Sequence, residues 1–162
     1  MEYEKITDAE KFASALTELR IEYLTEDYGG LSLTELEQLR EKLPHYFKSH
    51  LNVDLFAYVC RAGELIAGCC FLFVSEKPPN PSFINGKTGT LLNVYTRPEF
   101  RRKGIAGRLI KMLIADSSEM KLDFLELKST DEGYELYKFL GFEDAVSKYH
   151  NMKLIIDKQN RL

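Results

Sequence analysis

Apolar positions along the chain change period several times, and each change predicts an element. Residues 2–6 read as a short first strand. Thr7-Asp8-Ala9-Glu10 has the form of a capping box, in which a short polar side chain and a Glu three residues on satisfy the open N–H groups of a helix start. Phe12, Ala15, Leu16 and Leu19 then recur at helical spacing, which predicts a helix to about Tyr23. The loop Thr25-Glu26-Asp27-Tyr28-Gly29-Gly30 separates it from a second capping box, Ser32-Leu33-Thr34-Glu35, and a helix with Leu36, Leu39, Leu43 and Phe47 inward. Pro44 lies inside that run. It lacks an N–H and crowds the preceding turn, so a kink or split is expected there.

From Leu55 the pattern becomes strand-like. Runs rich in aliphatic and aromatic residues from about Leu55 to Arg61 and Leu65 to Ser75, with a turn around Gly63, predict a hairpin. The proline-dense stretch from Glu76 to Gly86 reads as an extended surface linker. A strand from about Thr88 to Thr96 follows. Then come a helix with Ile105, Leu109, Met112 and Leu113 on one face, a strand from Leu122 to Lys128, and a short helix capped by Ser129-Thr130-Asp131-Glu132 and ended by Gly141. Met152, Leu154 and Ile156 alternate as in a final strand. This order predicts an α/β fold, a mixed sheet flanked by helices on both faces.

With 162 residues and 44% hydrophobic content, the chain can bury roughly two-thirds of its unfolded surface, enough for one domain over 1–162 without disulfides or metal. A net charge of −3 argues against general nucleic-acid binding. Cys60, Cys69 and Cys70 lie in apolar strand patterns, which predicts free buried thiols and a cytoplasmic protein. The three histidines show no metal-ligand spacing, and no apolar run is long enough to span a membrane.

The basic run Arg101-Arg102-Lys103 is therefore a local feature on an acidic body, and it stands where strand passes to helix. A helix start offers unpaired N–H groups and partial positive charge to an anion, and Gly104, Ala106 and Gly107 leave the approach open. Neither G-x-x-x-x-G-K-[ST] nor G-x-G-x-x-G occurs, so a P-loop and a dinucleotide fingerprint are excluded. The stretch that does occur, Arg101-x-x-Gly104-x-Ala106 after a strand, resembles the Q/R-x-x-G-x-G/A signature of the GNAT superfamily of acyl-CoA-dependent N-acetyltransferases. The later block from Leu125 to Phe142, with its Leu136-Tyr137-x-x-x-Gly141-Phe142 ending, is similar to the second GNAT block, and the resemblance covers nearly the whole chain.

The resemblance implies a GNAT-like fold with a splayed central strand pair, Thr88 to Thr96 and Leu122 to Lys128, with the pantetheine arm of acetyl-CoA in the gap. The cofactor-binding set it implies is backbone at Val94, Tyr95 and Thr96, then Arg101, Arg102, Lys103, Gly104, Ile105, Ala106, Gly107 and Arg108 around the diphosphate. Thr130 joins them where many members carry Asn. On pattern alone a Tyr at the spacing of Tyr137 is an amphipathic core residue with its hydroxyl reaching water, but the resemblance implies Tyr137 as general acid to the departing thiolate. A protonated amine has no lone pair to attack with, so a base is needed. Glu26 and Asp27, in the loop after the first helix, are the candidates, while Asn93 could orient a water but not take a proton. The implied reaction moves acetyl from acetyl-CoA, as co-substrate, directly to a primary amine of a small molecule or peptide. No metal, nucleic acid or membrane takes part, and homodimerisation is left open. Two other readings compete: a non-catalytic acyl-CoA sensor, and a KH-type nucleic-acid module whose GXXG loop the Arg-Arg-Lys-Gly-Ile-Ala-Gly-Arg stretch could imitate.

Overall fold

The computed structural model describes residues 1–156. They form β1 (Glu2–Lys5), α1 (Ala9–Asp27), α2 (Leu33–His50), β2 (Leu55–Ala62), β3 (Leu65–Glu76), β4 (Lys87–Thr96), a 3-10 turn (Pro98–Phe100), α3 (Ile105–Glu119), β5 (Leu125–Glu126) and α4 (Asp131–Phe139). The chain divides into two compact units, Met1–Ser129 and Thr130 onward. The first holds the whole sheet with α1, α2 and α3; the second holds α4.

Strand order in the sheet is β1-β2-β3-β4-β5. The first four strands pair antiparallel and β5 joins β4 in parallel. Because strand side chains alternate, β2 serves two cores at once. Ala57 and Val59 point to one face, where α1 and α2 bring Ala13, Leu16, Leu19 and Phe47 against Cys69, Phe71 and Tyr95. Tyr58 points to the other face and donates its hydroxyl to Asp116 of α3 at 2.9 Å, an oxygen that Lys5 of β1 also reaches at 2.7 Å. Helices thus cover both faces, as the periodicity predicts.

Local signals set several helix ends. Glu35 N–H donates to Ser32 Oγ at 3.2 Å and Ser32 N–H to Glu35 Oε2 at 2.8 Å, so the second capping box forms as read. At α1 the cap is Asp8, which accepts from Lys11 N–H at 3.0 Å; Thr7 lies outside the helix. α2 runs unbroken through Pro44. The proline's cost is local, and Phe47, buried and edge-on to Phe71 at 5.6 Å, fastens the segment beyond it to the core.

Four expectations are corrected. α1 continues past Tyr23 to Asp27, so Glu26 and Asp27 belong to its last turn rather than to a loop. The proline-rich segment is not extended. Lys77 N–H bonds Gly86 C=O at 2.8 Å, and Asn80 and Phe83 exchange two backbone bonds, because neighbouring strands hold its ends together. The strand expected over Leu122 to Lys128 is ladder-bonded only at Leu125–Glu126. No strand forms at Met152, Leu154 and Ile156, which are 93%, 80% and 86% exposed. Alternation prepares a strand, but only ladder hydrogen bonds make one, and among the described residues none reach this segment.

Candidate active site

The site is built where β4 gives way to α3. β4 pairs with β5 only at Gly89↔Leu125 and Thr90↔Glu126, so from Leu91 to Thr96 it has no strand neighbour on that side among the described residues. Its pairing with β3 also breaks here. Cys69 faces Tyr95 while Phe71 faces Leu92, which leaves one extra residue in β4 and makes a bulge at Asn93-Val94. Asn93 adopts the left-handed conformation, φ 50°, which Asn tolerates better than any residue except Gly. The bulge breaks the register at Asn93-Val94, and pairing with β3 resumes at Tyr95 and Thr96.

Past the 3-10 turn, Arg102 (φ 62°) and Gly104 (φ 74°) are both left-handed, and Gly104 is the N-cap of α3. No side chain caps that helix and no acidic residue occupies its first turn. The first intrahelical bond from this end runs from Arg108 N–H to Gly104 C=O, so the amides of Ile105, Ala106 and Gly107 precede the ladder. Gly68 on β3 allows the close approach: a Cβ there would lie 3.1 Å from Ile105 Cγ2 and 2.9 Å from the Tyr95 carbonyl oxygen. An uncapped helix start bordered by cations thus sits at the end of an open strand. Its chemistry fits an anion at the helix start.

α1 closes the other side with charged residues. Arg97 makes a two-pronged ion pair with Glu22, at 3.0 and 2.7 Å, and Arg101 pairs with Glu26 at 2.6 Å. Arg20 donates to Asn93 Oδ1 at 3.0 Å. Tyr23 meets Tyr95 edge-on at 6.3 Å. Burial, followed by the carboxylates of Glu22 and Glu26, holds the Tyr95 phenol above its ordinary range; burial and then Asp27 do the same for Tyr23. Among the described residues no three His, Cys, Asp or Glu side chains converge as a metal site.

The residues singled out from sequence fall into distinct places. Val94, Tyr95 and Thr96 end β4 at the bulge, and the Thr96 carbonyl accepts from Arg101 Nε at 2.9 Å. Arg101 and Glu26, assigned separately to diphosphate and acceptor, are partners of one another. Lys103 donates to the Glu99 carbonyl at 3.2 Å, and Arg108 lies over the Tyr3 ring at 4.1 Å. In the second unit, Thr130 is the N-cap of α4 and accepts from Gly133 N–H at 3.3 Å, while Tyr137 meets Phe142 edge-on at 5.9 Å. Asn93 is 4% exposed and bonded to Arg20 and Cys69, which removes it as a water-orienting group. Sequence reasoning missed Arg20, Glu22 and Arg97. The one signal that could have found Glu22 is its position four residues before Glu26, on the same face of α1.

The uncapped, cation-bordered start of α3 beside the open side of β4 suits an anion, and the loop at Gly104 joins strand to helix rather than two helices, which removes the KH reading. The chain belongs to the acetyltransferase (GNAT) family, whose family model matches residues 14–142. By family it is an N-acetyltransferase that takes its acyl group from acetyl-CoA. No curated protein sequence matches it. Among solved structures it is similar to a predicted acetyltransferase with acetyl-CoA from Clostridium acetobutylicum, with 24% identity over 94% of this chain and 95% of the other and a TM-score of 0.80. It is also similar to a GCN5-related N-acetyltransferase from Ralstonia eutropha JMP134 (22%, 93% and 97%, TM-score 0.75). A third is the ribosomal-protein-alanine N-acetyltransferase from Brucella melitensis biovar Abortus 2308 (19%, 94% and 100%, TM-score 0.65).

Proposed function

We propose that this protein moves the acetyl group of acetyl-CoA directly to a primary amine of a small molecule or peptide. The observation that carries the reading is the continuity of the bulged end of β4, open on its β5 side among the described residues, with the uncapped start of α3. The amides of Ile105, Ala106 and Gly107, with Arg102 and Lys103 beside them, would hold the diphosphate by charge-assisted hydrogen bonds. The open edge of β4 at Val94 and Tyr95 would pair with the amides of the donor's arm.

Attack of the amine on the thioester carbon places negative charge on the carbonyl oxygen, and a fixed N–H aimed at that oxygen stabilises it without reorganisation. The N–H of Val94 or Tyr95, at the bulge, would serve. Glu26 and Asp27 at the end of α1 would draw the proton from the incoming ammonium, directly or through water. Tyr137 would protonate the departing thiolate, an assignment supported by its place in the Leu-Tyr-x-x-x-Gly-Phe block. No acyl-enzyme forms, so donor and acceptor are held together.

The test measures acetyl-CoA binding by calorimetry and CoA release with a thiol reagent. The acceptors are an alanine-terminated peptide, the alanine terminus being named for the Brucella relative, an internal-lysine peptide, an aminoglycoside and a diamine. Binding with release on at least one acceptor is expected. Binding without release on any of them would favour an acyl-CoA sensor, and failure to bind acetyl-CoA would sink the proposal.

A further inference from the structure

We infer that Asn93 is a positioning residue for acetyl transfer, and that Arg20, Asn93 and Cys69 form one brace that holds the β4 bulge in its catalytic shape. This rests on the proposed use of the Val94 or Tyr95 N–H as oxyanion donor.

A left-handed residue inside a strand is unstable unless its surroundings hold it there. Asn93 is held from three directions. Its Oδ1 accepts from the Arg20 guanidinium at 3.0 Å, its Nδ2 donates to Cys69 Sγ at 3.2 Å, and the Cys69 thiol lies 3.8 Å from its carbonyl oxygen as a weak donor. The site excludes water, Asn93 being 4% exposed and Cys69 fully buried. The thiol stays protonated in that setting and can act as both donor and acceptor. Arg20 comes from α1 and Cys69 from β3, so the brace fixes the bulge against both neighbours. None of the three side chains need touch the reacting atoms: they set the direction of the N–H groups that follow.

Three variants test the brace: Asn93→Ala, which loses both the side-chain bonds and the tolerance of positive φ; Asn93→Gly, which keeps only the tolerance; and Arg20→Met, which keeps the aliphatic stem and removes the bond to Oδ1. With acetyl-CoA and the best acceptor of the panel, Asn93→Ala is expected to lower kcat by something on the order of 10²-fold, the effect of displacing a catalytic group by about an ångström. Acetyl-CoA affinity should fall far less than kcat, since the diphosphate is held elsewhere and only the pairing of the arm with β4 is disturbed. Asn93→Gly should recover part of that kcat. Arg20→Met should lower kcat less, and the double variant Arg20→Met/Asn93→Ala should be no worse than Asn93→Ala alone, because groups acting through one element do not add. Amide hydrogen exchange at residues 92–96 should speed up in Asn93→Ala while α3 stays protected.

A wild-type-like kcat in Asn93→Ala, or losses that multiply in the double variant, would overturn the brace and leave the acetyltransferase reading standing. Wild-type protein that releases no CoA on any acceptor would overturn both. Equal loss of kcat and acetyl-CoA affinity with general loss of exchange protection would reduce Asn93 to a folding role and overturn the inference as well.

Discussion

Gly104→Val asks whether the start of α3 is an anion cradle. Gly104 sits at φ 74°, and a Cβ built there meets no atom within 4 Å, so the cost to the fold is one of backbone conformation rather than collision. Holding a non-glycine residue left-handed costs about 1–2 kcal/mol. For a chain of this size each kcal/mol lowers the melting temperature by about 2–4 °C, so the variant should melt about 2–8 °C early and still fold. Binding should suffer far more. An anion at a helix start gains up to ~2 kcal/mol from the dipole and ~1.5–3 kcal/mol from each charge-assisted hydrogen bond. A branched side chain standing over the first-turn amides forfeits some of each. A loss of about 2–4 kcal/mol corresponds to a Kd raised ~30- to ~10³-fold. Calorimetric titration with acetyl-CoA reads this directly, with scanning calorimetry alongside. Gly104→Ala is the control: it carries the left-handed backbone cost without branching at Cβ, so it should melt no earlier than the Val variant and bind with an intermediate Kd. A Val variant that folds and binds within about threefold of wild type would refute the cradle.

Tyr137→Phe should lower kcat by something on the order of 10²-fold while leaving melting temperature and acetyl-CoA affinity nearly unchanged; single-turnover rates check this, and an unaffected chemical step would return the ring to a packing role. Glu26→Gln removes the charge paired with Arg101 in a half-exposed, solvent-screened setting, so stability should fall by less than about 1 kcal/mol; a kcat loss that is largest at neutral pH would identify Glu26 as the base, and a flat ratio of rates across pH would exclude it. Burial pushes the Cys69 thiol up to about 12 and the Cys70 thiol up as well. Both raised values mean that the folded state keeps protons the unfolded chain gives up. Stability is therefore fully present below the unfolded thiol range near ~8.5 and is lost as pH rises from there toward 12, which pH-dependent denaturant midpoints would show. At pH 8 iodoacetamide should label neither thiol in native protein and both in guanidinium, as read by mass spectrometry.

What the sequence made legible was what neighbouring residues decide. The Ser32–Glu35 capping box, the β2–β3 hairpin and the start of α3 each lie within a few consecutive positions, and all three stand as read. Long-range partnerships were not legible. Arg20 meets Asn93 across 73 positions, and Glu22 meets Arg97 across 75, so neither pair leaves a local trace. For the same reason Glu26 read as a loop acid when it is the ion-pair partner of Arg101. The tail at Met152 to Ile156 erred in the opposite direction: its local pattern suits a strand, but pairing depends on an edge the pattern cannot supply.

The shortness of the β4–β5 ladder has a consequence for solubility. A strand end without a neighbour presents N–H and C=O groups to any passing chain, and sheet edges of this kind seed edge-to-edge association. The bulge at Asn93 interrupts the regular spacing of those groups, so an intruding strand could match only a residue or two before losing register. A residue proposed to aim an amide at a thioester would thereby also guard the chain against its own copies. Its loss should appear first as turbidity in concentrated protein without acetyl-CoA, with saturating acetyl-CoA suppressing it by taking the place of the missing strand.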